Sequence, residues 1–138
     1  MNPPKVKAIQ SHTINITPRY AETDQGGVIH HSVYPVWFEM GRIELLRAKG
    51  VVYKDLEKAG IFFVVTELHI KYHMPARYDE DLQLETSCSG MDASKLQHAY
   101  RLVRCSDGAI LSEGSSILAC VNAKGNVRRI PKFMYPGE

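Results

Sequence analysis

Residues 20–47 read YAETDQGGVIHHSVYPVWFEMGRIELLR, and three successive parts of this stretch decide the fold. A polar segment carries Asp24. The Gly26-Gly27 pair then turns the chain. After His30-His31-Ser32, a helix is expected over 33–49. Ser32 is placed to cap it through its hydroxyl. Pro35 fits the first turn, where a missing N–H costs nothing. Gly50 stands where a left-handed stop belongs. At about 100° per residue, Val33, Val36, Trp37, Met40 and Ile43 form one apolar arc, and Tyr34, Phe38 and Leu45 a second. The polar side chains are largely Glu39, Arg42, Glu44 and Arg47. A helix apolar on most sides belongs in a core. A carboxylate-bearing loop therefore feeds the N-terminus of a central helix. Free N–H groups and the positive end of the helix dipole sit there, a setting that suits a developing oxyanion.

Outward from this stretch, residues 1–9 read as a loose lead-in. Residues 12–20 alternate with Ile14 and Ile16 on one face, as a strand does, and Pro18 marks its end or an edge. A short second helix is expected over 52–59, stopped at Gly60. Everything further reads as sheet. Residues 61–73 form a long strand with Val64, Thr66, Leu68, Ile70 and Tyr72 on one face, and Pro75 breaks it. Over 81–91, Leu82, Leu84, Thr86 and Cys88 share a face. A turn at 91–94 leads to a strand over 95–105. The Asp107-Gly108 turn leads to another over 109–122. One apolar helix against about four hairpin-connected antiparallel strands, plus the first, is an α+β architecture: a sheet wrapped around one long central helix. The open sheet edges call for at least a homodimer.

The chain has 138 residues and a net charge of +2, which points to a single domain spanning 1–138 and gives no argument for a nucleic-acid partner. No apolar run reaches the roughly 18 residues of a membrane span, so no membrane partner is expected. The N-terminal residues carry no apolar signal region, so the expected location is cytoplasmic. Cys88, Cys105 and Cys120 are odd in number and far apart, which fits reduced structural thiols and neither a disulfide frame nor a zinc site.

Asp24 is the main candidate for chemistry. Loop Asp beside Gly is most often turn chemistry, but this loop precedes a buried helix and two histidines crowd the helix start. His30 and His31 with Asp24 make a weak metal site, since adjacent histidines point apart and no ligand spacing supports them; no metal is expected. No nucleophile elbow, dinucleotide fingerprint or Walker pattern is present. Arg128 and Arg129 are the best of several basic residues for a phosphate-bearing ligand. Tyr20, Tyr34 and Trp37 read as core aromatics, Glu39 and Arg42 as an i,i+3 pair, and Glu67 as lying on the other face of the sheet.

The segment at 20–42, YAETDQGGVIHHSVYPVWFEMGR, resembles the hotdog-fold acyl-CoA thioesterases, specifically the 4-hydroxybenzoyl-CoA thioesterase and YbgC-like branch. The likeness continues more loosely through 63–82 and 125–131. It implies that Asp24 is the catalytic carboxylate, as nucleophile or as base on water. It implies that the backbone N–H of His31 polarises the thioester carbonyl, and that Tyr34 is the tyrosine of the first helical turn. Gly27, Val28, His30 and Tyr34 become the substrate-binding candidates, with Arg128 and Arg129 toward the nucleotide phosphates. The resemblance further implies an acyl-CoA substrate, no cofactor beyond the coenzyme A carried by that substrate, and a homodimer or homotetramer with sites at subunit interfaces. Two alternatives stay open: a hydratase or dehydratase on the same scaffold, with His30 or His31 as base, and a non-catalytic acyl-CoA binding module.

Overall fold

The computed structural model describes residues 9–135; the expected lead-in falls almost wholly outside them. Strand β1 (Ser11–Ile16) runs to Pro18 and a single 3-10 turn (Tyr20–Glu22). Helix α1 (Val33–Ala48) and helix α2 (Tyr53–Lys58) follow. Strands β2 (Phe62–Tyr72), β3 (Leu82–Met91), β4 (Lys95–Arg104) and β5 (Ile110–Val121) complete the sheet. All pairings are antiparallel, in the order β1-β3-β4-β5-β2. The α+β architecture is the expected one. The expectation of four strands in hairpins is corrected: only β3, β4 and β5 are hairpin-connected. β2 lies at the far edge against β5, and β3 pairs β1 on its other side.

Both helices stop as glycine dictates. The Val51 N–H donates to the Leu46 carbonyl and the Gly50 N–H to Arg47, with Gly50 at φ +90°. The same pattern recurs with Ile61 to Leu56, Gly60 to Glu57, and Gly60 at φ +80°. Both are Schellman closures. The start of α1 differs from expectation. Ser32 has helical backbone angles, φ −70° and ψ −13°, and makes no side-chain cap. Its hydroxyl lies 2.7 Å from His30 Nδ1 instead. A capping residue needs extended angles, and here the imidazole claims the hydroxyl.

The inner face of α1 buries Tyr34, Trp37, Phe38, Gly41 and Leu45, packed on Leu82, Leu84, Tyr100, Leu102 and Leu111. Each fully buried side chain of this kind contributes roughly 1.5–3 kcal/mol. Phe38 and Tyr100 stack with centroids 4.2 Å apart. A second cluster joins Val51, Leu56 and Ile61 to Leu96, Cys120, Ile130 and Met134. Helix and sheet approach closely at Gly41, where a Cβ would collide with the Thr86 hydroxyl and lie 3.0 Å from Leu84.

The helix is not apolar-buried on most sides within one chain. Val36 and Met40 are exposed, as are Val64, Val65 and Leu68 on β2. The single-face reading of β2 fails too. The pairing with β5 shifts between Val65 and Glu67, so Thr66 is the extra residue of a bulge and the alternation breaks there. Glu67 is exposed beside His69, 4.0 Å away. Tyr20 is 75% exposed, against the core expectation. Arg42 donates to the Tyr100 hydroxyl at 3.0 Å, and no Arg42–Glu39 ion pair forms among the described residues.

Candidate active site

The loop ahead of α1 is held by short backbone bridges. The Asp24 N–H donates to the Val28 carbonyl at 2.8 Å, and Thr23 and Ile29 form an antiparallel bridge. Gly27 takes φ +81°, a left-handed angle that glycine adopts without penalty. Asp24 Oδ1 accepts the Gly26 N–H at 2.8 Å and the Val28 N–H at 3.3 Å. This is the expected turn chemistry, but it occupies one oxygen only. Oδ2 has no hydrogen-bond partner among the described residues.

Asp24 lines a cleft of about 340 Å³ together with Val28, Ile29, His31 and Tyr34 from the loop and helix, and Tyr72, His73, Met74 and Pro75 from the end of β2. The Ile29 N–H donates to the Ala76 carbonyl, and the Ala76 N–H to the Tyr34 hydroxyl at 3.2 Å. These two bonds fasten the 75–76 segment across the helix start. Burial pushes the Tyr34 phenol pKa up. Tyr72 stands edge-on to Tyr34, with centroids 4.9 Å apart, and its hydroxyl donates to the His31 carbonyl at 3.0 Å. The His31 N–H donates to no acceptor among the described residues. Asp24, whose carboxylate has one free oxygen, and His31, whose N–H is unspent just ahead of the helix, thus line one cavity. Such a pair can present a nucleophile or base and an electrophilic donor to the same carbonyl.

Not every expected residue joins them. His30 is absent from the cleft wall; its Nδ1 accepts the Ser32 N–H at 3.1 Å. The two histidine rings do not point apart as expected. Their centroids are 4.3 Å apart with planes tilted by 30°, because the turn at 30–32 folds both onto one side. Arg128 and Arg129 lie at the other end of β5. The Arg128 N–H donates to Cys120, whereas the cleft abuts Leu111 through the His73 N–H, roughly 30 Å of extended strand away. One chain does not bring these arginines to Asp24. The reading from sequence missed Tyr72, His73, Met74 and Pro75 as cleft walls; the break at Pro75 right after an aromatic strand end is the signal that could have found them. His73 Nε2 lies 3.3 Å from Glu113 Oε1.

A sheet in this strand order, wrapped on one helix with a carboxylate loop at its N-terminus, places the chain in the hotdog-fold class. Comparison with known proteins narrows it. The description of the thioesterase-like superfamily matches residues 18–136. The acyl-CoA thioester hydrolase YbgC of Escherichia coli is 32% identical over 114 residues, covering 82% of this chain and 84% of that one. Among solved structures, a hypothetical protein of Thermus thermophilus is 38% identical at TM-score 0.83, covering 89% of this chain and 93% of that one. The DHNA-CoA thioesterase of Staphylococcus aureus is 30% identical at TM-score 0.81, covering 91% and 83%. The chain belongs to the thioesterase-like superfamily.

Proposed function

We propose that this protein hydrolyses acyl-CoA thioesters to a free acid and CoA. The observation that carries the reading is the joint lining of one cleft by Asp24 and by His31, whose N–H is unspent. The thioester carbonyl oxygen accepts the His31 N–H, which stabilises charge as it develops; one such donor is worth roughly 2.7–4 kcal/mol. The free oxygen of Asp24 attacks the carbonyl carbon or takes a proton from an attacking water. CoA leaves as a thiolate whose conjugate acid has a pKa of about 8.5, so no general acid is needed. Val28 and Tyr34 wall the acyl thioester, and Gly27 sets the angle of the loop. His30 supports the turn, and Arg128 and Arg129 of a second copy are candidates for the nucleotide phosphates. No cofactor enters beyond the CoA of the substrate.

The reading includes a homodimer. β2 is an eleven-residue edge strand, and its Val64, Val65 and Leu68 are exposed, as are Val36 and Met40 of α1. Such an edge invites pairing, and a two-fold axis pairs the strand with its own copy. Antiparallel self-pairing lays the Phe62 end of one β2 beside the Tyr72 end of the other, next to the Asp24 cleft. The three free cysteines accord with a cytoplasmic location. The described helices include none long and apolar enough to cross a membrane.

Thiol release from a panel of acyl-CoAs tests the activity. Asp24→Asn is expected to lose at least about a hundredfold in turnover with its melting temperature retained. Unchanged turnover removes Asp24 from the mechanism.

A further inference from the structure

The Asp24 loop is a small hairpin. The His30 N–H donates to the Glu22 carbonyl at 2.9 Å, Thr23 bridges Ile29, and the Asp24 N–H donates to Val28. The Gly27 N–H closes the tip onto the Asp24 carbonyl at 3.2 Å. Glu22 therefore sits at the base of one arm, two residues below Asp24. His30 sits at the base of the other, with His31 next in the chain. Where Asp24 stands relative to the helix start depends on how this hairpin tilts against α1.

The Glu22 side chain reaches from that base to the body of the helix. Its Oε2 accepts the Trp37 indole N–H at 3.2 Å, and its Oε1 accepts the Arg19 N–H at 2.7 Å. The Glu22 side chain is only 10% exposed. A carboxylate withdrawn from water is costly unless its oxygens are bonded. The Arg19 guanidinium comes within 3.4 Å of Oε1, but that side chain is 76% exposed, and an ion pair to so exposed a partner is worth little. The two N–H donors are what hold the acid in place. Trp37 is itself buried. Its ring centroid lies 5.3 Å from that of Tyr34, and it packs in the cluster that contains Ile29, Leu82 and Leu84. The base of the hairpin is thereby pinned to a ring that a close-packed core holds still.

The two contacts require an acid. Both partners are N–H donors, and a carboxylate offers acceptors only. A glutamine of the same length presents its oxygen to one donor and its NH2 to the other. One of the two N–H groups then loses its acceptor. Glu22 is absent from the cleft wall, so it acts through the hairpin and not on the substrate.

We propose that Glu22 is a positioning residue of the candidate active site: through Trp37 it sets the tilt of the Asp24 hairpin on α1, and so the placing of the Asp24 carboxylate relative to the His31 N–H. The catalytic consequence rests on the proposed thioester hydrolysis; the tether itself does not.

The test combines NMR and steady-state kinetics on the full-length protein as wild type, Glu22→Gln, Trp37→Phe and the double variant. The chain has one tryptophan, so its indole N–H gives a single resonance that reports the Glu22 contact directly. In Glu22→Gln this resonance is expected upfield of its wild-type position. The Gly26, Val28 and His31 amides should shift with it, while those of β4 stay. Well below the melting temperature of every variant, kcat for acyl-CoA hydrolysis should fall roughly tenfold to a hundredfold, with KM within about twofold. A role in stability alone would lower the melting temperature and leave this kcat untouched. In the Trp37→Phe background the same substitution should cost less than about twofold, because no indole donor remains to be orphaned. An unchanged kcat in Glu22→Gln overturns the proposal. An equal loss in both backgrounds does so too, since Glu22 would then not act through Trp37. Unmoved indole and loop amides in Glu22→Gln overturn it whatever the kinetics. If Trp37→Phe does not fold, those shifts and the kcat of Glu22→Gln decide. If the wild type turns over no acyl-CoA, the proposed hydrolysis fails, and the same shifts still decide whether Glu22 holds the hairpin.

Discussion

At the residue scale, the cleft shows how little side-chain equipment a reactive ester requires. Asp24 is restrained through one oxygen by two N–H groups of its own turn, and a single N–H waits at His31. What orients that N–H is less obvious from sequence. Tyr72 reaches from the end of β2 and donates to the His31 carbonyl, which fixes the turn from the outside. Tyr72→Phe keeps the ring edge against Tyr34 and removes only this bond. Turnover should fall about threefold to tenfold, equivalent to roughly 0.7–1.4 kcal/mol, with KM little changed. Steady-state kinetics on the variant checks this, and unaltered kcat would show that the carbonyl bond does not position the site. Asp24 and His31 were legible because they lie within one short motif. Tyr72 and His73 were not, because their nearness to the loop comes from a strand that begins some thirty residues later.

At the element scale, α1 and β3 are matched by a glycine. The missing Cβ of Gly41 lets Thr86 and Leu84 approach the helix. Gly41→Ala improves helix propensity by roughly 1 kcal/mol, yet it forces a methyl into the Thr86 hydroxyl. Overpacking of this kind costs about 1–3 kcal/mol, so the variant should melt lower than wild type in a thermal scan. β4 carries the other element-scale consequence. Burial first, then the charges of Arg42 and Lys49, depress the folded-state pKa of His98 to about 3 from the ordinary 6.5. Between these values the unfolded chain binds the extra proton, so stability is complete above pH 6.5 and falls as pH drops toward 3. The slope is at most about 1.4 kcal/mol per pH unit from this group. Urea midpoints at pH 7 and pH 4.5 should differ more in wild type than in His98→Leu. Equal differences would mean that His98 titrates normally in the folded state. The inward position of His98 was readable from the alternation of Leu96, His98, Tyr100 and Leu102 on β4, though nothing in that pattern revealed that its Nδ1 would lack a partner.

At the scale of the whole molecule, apolar side chains stay uncovered on two elements: Val36 and Met40 on the helix and Val64, Val65 and Leu68 on the edge strand. If this is where two copies meet, Val65→Lys should yield monomers by light scattering, because an ammonium buried there without a partner costs several kcal/mol. The monomer should retain its circular dichroism and lose at least about tenfold in turnover, since the cleft would lack its neighbouring strand. A Val65→Lys protein that stays dimeric and active would place the interface elsewhere.

The helix, its glycine stops, the strand alternation of β3 and the reactive loop were all determined by local sequence. Each follows from backbone preferences and periodicity acting over a few residues. The position of β2 beside β5 instead of β3, the bulge at Thr66 and the cleft wall from 72–75 were decided only when distant segments packed. Such contacts depend on which surfaces meet and how closely. No spacing within one segment encodes that, so the catalytic loop could be read in the chain, while the cavity around it existed only once the sheet had closed on the helix.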